Sequence, residues 1–175
     1  MMNKMNVMVD IETMGLGEHA AMVSIGAVKY NDDGSGWETF YRAIDLHSSC
    51  EEGGIINPST ILWWLDQSKE AQQAFLSGTR FHVHKALEDF IAFYPVGGLF
   101  WGFGATFDNI IVKNAIIRSG LTPPWSYHND RCFRTLVAEY PEVVWNTDRG
   151  VVHNALDDAI SQARHHLRIL NVSRQ

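Results

Sequence analysis

The chain reads as an α/β domain: a mixed five-stranded sheet, with an antiparallel β1-β2-β3 meander plus parallel strands and helices on both faces. Three observations lead there. Strand-like segments cluster at the start, helical patterns dominate from residue 57 onward, and two short strand-like segments interrupt the helices. The order β-β-β, helices, β-α-β-α-α fits a meander extended by parallel strands. The 175 residues are 46% hydrophobic and 11% aromatic, enough to build one core over a single domain of residues 1–175. No repeat or Pro/Gly/Ser-rich linker divides them.

Residues 5–11 (MNVMVDI) form a short apolar run that reads as a buried strand, and residues 21–30 (AMVSIGAVKY) as a second. Asn31-Asp32-Asp33-Gly34-Ser35-Gly36 is a turn signal, and the alternating residues 37–44 make the third strand. Asn57-Pro58-Ser59 offers a cap and a first-turn proline for a helix carrying Trp63 and Trp64. Helical patterns follow over residues 69–76 and 83–94, the latter stopped by Pro95. Residues 99–103 (LFWGF) read as the fourth strand. Residues 107–118 are apolar at helical spacing (Phe107, Ile110, Ile111, Asn114, Ile117) and end at a Ser119-Gly120 cap. A fifth strand is expected at 128–131, a short helix at 134–140, and a last helix at 155–170 whose face is Leu156, Ala159, Ile160, Ala163, Leu167 and Leu170.

The formal net charge is −6. That argues against coating nucleic acid through a basic face, but not against gripping a few nucleotides through metal ions. No apolar run reaches the ~20 residues of a membrane helix, and residues 1–6 show no secretory signal, so a cytoplasmic protein is expected. Cys50 and Cys132 are far apart and read as reduced thiols.

Three short segments carry the chemistry. In Val9-Asp10-Ile11-Glu12, strand alternation puts both carboxylates on one face at the end of a buried strand, where they need cations or a metal. Asp108 opens a helix after the Gly-rich Trp101-Gly102-Phe103-Gly104 segment. His153 precedes the last helix and Asp158 lies about one turn inside it, with small Ala155 and Ala159 permitting close approach to the sheet. Each alone has an ordinary structural reading: a strand running into a polar turn, an acid complementing a helix dipole, a solvent-facing loop histidine.

Taken in order, D-x-E on the first strand, F-D opening a later helix and H-x-A-x-x-D opening the last one resemble the DEDDh, or DnaQ-like, 3′→5′ exonucleases, which have a ribonuclease-H-like fold. The resemblance spans about residues 7–170. DIET, SIGAV and the tryptophan-bearing segment ending in Gln67-Ser68 are most similar to the subgroup of exonuclease VIII-like proteins and compact bacterial exoribonucleases. The resemblance implies that Asp10, Glu12, Asp108 and Asp158 bind two divalent ions, Mg²⁺ or Mn²⁺, and that His153 is the general base on the attacking water. Asp157 is the rival ligand; the family spacing selects Asp158. The implied activity is stepwise 3′→5′ hydrolysis of single-stranded RNA or DNA to nucleoside 5′-monophosphates. A nanoRNase or small-substrate phosphodiesterase on the same site, and a non-catalytic nucleic-acid-binding module, are the alternatives. A homodimer is a further expectation, because relatives often pair.

Thr13, Met14 and Gly15 look like the family's loop against the terminal nucleotide, and Leu16 can add an apolar contact to a base. Phe107 can stack or simply pack. Trp63 and Trp64 are stacking candidates, but neighbours on a helix cannot share a face, so one belongs to the core. Arg131 and Arg134 can reach phosphate or be ordinary surface charges; the sequence does not choose.

Overall fold

A computed structural model describes residues 5–145 and 153–174; residues 1–4 and Val152, which the sequence reading touched, lie outside them. The first three strands are β1 (Asn6–Thr13), β2 (Met22–Tyr30) and β3 (Glu38–Ile44). β1 and β2 pair antiparallel, as do β2 and β3, giving the expected meander. The helices α1 (Leu46–Glu51), α2 (Pro58–Leu65) and α3 (Lys69–Leu76) follow. Next come β4 (Arg80–Phe81), α4 (Val83–Phe93) and β5 (Leu99–Gly102). A π-helical turn at Ala105–Asn109 then leads into α5 (Ile110–Arg118). The chain continues through β6 (Asp130–Cys132), α6 (Phe133–Glu139) and α7 (Ala155–Ser173).

The sheet has six strands in the order β4-β3-β2-β1-β5-β6, one more than the five expected. The addition is β4, whose two residues pair parallel with Ala43 and Ile44 at the edge. A strand of that length has no periodicity to read. Helix α1 was likewise not foreseen: six residues are held by Asp45, whose Oδ1 accepts from the Ser48 amide at 2.8 Å.

β1 lies in the middle and its side chains divide the molecule. Val7, Val9 and Ile11 join Phe90 of α4 and Ile111, Val112, Ala115 and Ile116 of α5 in one core. Met8 points the other way, into a core with Phe133 of α6 and Ala159, Ala163 and Ile169 of α7. Helices therefore cover both faces. Asp10 and Glu12 continue the row begun by Met8, so they lie under α7. A third, small cluster of Met14, Ala21, Val23 and Trp64 seats α2 against the start of β2.

Two helical faces differ from the sequence reading. In α5 the packed residues are Ile111, Val112, Ala115 and Ile116, while Ile117 is exposed: apolar residues lie on more than one stripe of this helix, and the one centred on Ile111, Val112, Ala115 and Ile116 meets the core. In α7 the buried set includes Ser161, Gln162, His165 and His166. Apolar spacing could not find a face that is half polar. Two of its polar members are hydrogen-bonded across the core: Tyr30 Oη lies 2.7 Å from His166 Nδ1, and Trp145 Nε1 donates to Ser161 Oγ at 3.1 Å. Burial holds the His166 imidazole down to about 4, so it sits neutral in the core. Both cysteines are free, and among the described residues no helix is long and apolar enough to cross a membrane.

Candidate active site

Two glycines let three elements converge beside β1. Gly26 of β2 pairs directly with Asp10. A Cβ there would lie 2.3 Å from the Ala155 carbonyl carbon and oxygen and 2.4 Å from the Leu156 nitrogen. The absent side chain is the space in which the first turn of α7 rests. Gly102 of β5, paired with Val9, serves the π-helical turn in the same way: a Cβ would come within 2.3 Å of Asn109 Oδ1 and 2.7 Å of Asp108 Cβ. Ala155 and Ala159, both fully buried, complete the close contact.

These approaches bring Asp10, Glu12, Asp108, His153 and Asp158 into one group. Ligand atoms of Glu12, His153 and Asp158 all lie within 4.8 Å of one another. Asp108 is 4% exposed. Asp157 is outside that cluster; its amide, like that of Leu156, caps onto Asn154 Oδ1 at the helix start. His153 holds φ +65°, the only non-glycine residue with positive φ among those described. That turn lets its amide donate to Asp158 Oδ2 at 3.0 Å, while the Trp63 ring meets the imidazole edge-on at 4.9 Å.

Without a counter-charge the cluster is electrostatically unfavourable. Burial, and then the charges of Asp108, Glu12 and Asp158, hold the Asp10 carboxyl well above its ordinary range. Burial, then Asp158 and Asp108, push Glu12 up to about 8. Asp108 is raised to about 7 by burial, against the pull of backbone amides and the Arg134 guanidinium. One side chain supports the charged form of Asp10 directly: buried Gln162 donates from Nε2 to Asp10 Oδ1 at 2.7 Å. The sequence reading passed over Gln162, although it lies four residues beyond Asp158 on the same helical face. The donor set is oxygen-rich, anionic and desolvated, with an imidazole at its rim. That chemistry fits hard divalent cations.

Beside Glu12 opens a cleft of about 410 Å³, lined by residues that include Ile11, Thr13, Leu16, Ser59, Trp63 and Phe107. Trp63 is 44% exposed and Leu16 69%, whereas Trp64 is 5% exposed and donates its indole N–H to the Thr13 carbonyl at 3.1 Å. Trp64 is thus the core tryptophan. Met14 packs beneath it and does not line the cleft. Thr13 Oγ1 donates to the Gly15 carbonyl, and the Leu16 amide donates to Asn57 Oδ1 at 3.0 Å. Asn57 thus ties the loop to α2 and makes no side-chain cap. Gly15 fits where a Cβ would press on Ile55 and Asn57.

Residues 5–170 match the family described as the 3′-5′ exoribonuclease Rv2179c-like domain. The chain belongs to this family. Among solved structures, the Rv2179c-like chain is similar in fold to a full-length 3′-exonuclease, at TM-score 0.55 and 15% identity over 98% of this chain and 83% of that one. It is also similar to cell-death related nuclease 4 (CRN-4), at TM-score 0.53 and 13% identity. There the match covers 97% of this chain and 64% of the nuclease, so the chain spans less than two thirds of that relative's length. No curated protein matches. These neighbours bear out the α/β, ribonuclease-H-like architecture expected from the sequence.

Proposed function

We propose that this Rv2179c-like domain is a metal-dependent 3′→5′ exonuclease that releases nucleoside 5′-monophosphates from single-stranded RNA. The observation that carries the reading is the convergence of Asp10, Glu12, Asp108 and Asp158 with His153 at the end of a buried central strand. The family's description as exoribonucleases directs the substrate to RNA.

In this reading the four carboxylates hold two divalent ions, Mg²⁺ or Mn²⁺. Such ions, when bound, lower the pKa of water and stabilise charge on the phosphate and leaving oxygen. His153 receives the proton of the attacking water on an imidazole nitrogen. Its ring is oriented by Trp63 and its backbone by Asp158. Gln162 fixes the Asp10 carboxylate. Leu16, Trp63 and Phe107 form apolar walls for the terminal base, each stacked base being worth about 1–3 kcal/mol. Thr13 and Leu16, the two ends of that loop, line the cleft, so in this reading the loop meets the 3′-terminal nucleotide.

The test is digestion of matched 5′-labelled RNA and DNA oligonucleotides with Mg²⁺, with Mn²⁺ and with EDTA. A ladder shortening from the 3′ end of RNA, absent with EDTA and in Asp10→Ala, supports the reading. His153→Ala should slow the ladder about 10²–10⁴-fold, as loss of a general base does. Metal-independent cleavage, or full activity in Asp10→Ala, refutes it. Cleavage confined to di- and trinucleotides would move the assignment to a small-substrate phosphodiesterase, a reading the net charge of −6 favours.

A further inference from the structure

We propose that Arg134 binds the backbone phosphodiester one nucleotide upstream of the bond that is cut. The inference rests on the exonuclease reading and adds a binding residue to it.

Arg134 lies in the first turn of α6 and is exposed. Its guanidinium carbon sits 5.3 Å from the Phe103 ring centroid. Its Nη2 lies 3.2 Å from where a side chain on Gly104 would begin, immediately before the turn that carries Asp108. The guanidinium therefore stands at the edge of the acidic group, near enough for its charge to be felt at Asp108.

Other cations among the described residues are committed elsewhere. Arg131 donates from Nη1 to the carbonyls of His128 and Asp130, both at 2.8 Å. Arg42, Lys85 and Arg174 pair with Asp89 or Asp32, and Lys29 with Glu38. Among the described residues the Arg134 guanidinium makes no hydrogen bond or ion pair. A cation left unpaired beside Asp108, stacked on an aromatic ring, is a preformed anion site: stacking orients the planar fork, so less freedom is lost when it binds.

The anion that reaches this place is a nucleic-acid phosphate. Arg134 is outside the lining of the cleft, on the flank where β5 and the π-helical turn meet α6. With the terminal nucleotide in the cleft, the scissile phosphate lies at the carboxylates. The strand must then leave over another flank, where, among the described residues, Arg134 offers an uncommitted guanidinium beside Asp108. Phosphate contacts of this kind fix register and carry no sequence preference.

The experiment uses a short RNA whose linkage next to the 3′-terminal one is either a natural phosphodiester or a neutral methylphosphonate, and reads the rate of release of the first nucleotide. For the wild-type domain the neutral linkage should raise KM about tenfold with kcat little changed, the effect of one charge-assisted hydrogen bond. Arg134→Gln should show the same rise on the natural RNA and no further response to the methylphosphonate; Arg134→Lys should recover part of the loss. A wild-type enzyme indifferent to the neutral linkage overturns the proposal. So does an Arg134→Gln enzyme that still responds tenfold to it. Absence of any nucleotide release by the wild-type domain overturns the exonuclease reading instead.

Discussion

Replacing Gly26 by alanine tests whether the close seat of α7 on β2 sets the geometry of the site. The new Cβ would meet the Ala155 carbonyl group at 2.3 Å and the Leu156 nitrogen at 2.4 Å. Ordinary carbon contacts begin near 3.5 Å. The start of α7 must therefore retreat by about 1 Å, since the obstacle is backbone and cannot rotate away. His153 and Asp158 flank the displaced segment, whereas Asp10, the partner of Gly26 in the ladder, stays with the sheet. The variant thus separates the two halves of the acidic group. A misplacement of about 1 Å costs on the order of 10²-fold in rate, and overpacking of this kind about 1–3 kcal/mol in stability. The assay is kcat/KM on labelled RNA, beside a thermal melt showing the variant folded at the assay temperature. Gly17→Ala is the control, because a Cβ there meets nothing within 4 Å. Wild-type turnover in a folded Gly26→Ala protein would refute the argument.

The metal-free protein should lose stability as pH rises. Glu12, Asp108 and Asp10 have carboxyl groups raised above their unfolded values, so the folded state binds more protons; the stability is full below about pH 4 and is lost as pH passes through about 7 and 8. Melts in EDTA should fall between pH 5 and pH 8.5, and millimolar Mg²⁺ or Mn²⁺ should restore most of the loss at the alkaline end; a flat profile in EDTA contradicts the clustering. Gln162→Leu, which removes the donor at 2.7 Å from Asp10, should weaken Mn²⁺ affinity about 10–100-fold with the fold retained, as read by titration. Unchanged affinity would make that hydrogen bond incidental. Trp64→Ala should destabilise by about 3–5 kcal/mol, while Trp63→Ala should leave the melt within about 1 kcal/mol and raise KM. Reversed behaviour would exchange their roles.

The meander was legible because its signals are local: period-two alternation, an Asn-Asp-Asp-Gly turn and short connections. β4 was not, since two residues become a strand only when Ala43 and Ile44 are beside them. The gathering of Asp10, Glu12, Asp108, His153 and Asp158 was visible through motif order. What supports the group was not. Gly26 and Gly102 matter for the atoms they leave room for, which belong to distant segments. Gln162 is buried on a helical face that is half polar, which apolar spacing cannot mark. Arg131 and Arg134 looked equivalent until backbone carbonyls claimed one of them.

Asp10 meets Gln162 across an interval of 152 positions. Protein synthesis runs from the N-terminus at about 5–20 residues per second, so the sheet and its α4–α5 cover emerge well before the helix that completes the acidic group. Until α7 clears the ribosome, Asp10 and Glu12 face no partner from that helix. In the proposed reading, a nascent chain surrounded by messenger and ribosomal RNA carries only half of its metal site, and hydrolysis waits until the last helix docks.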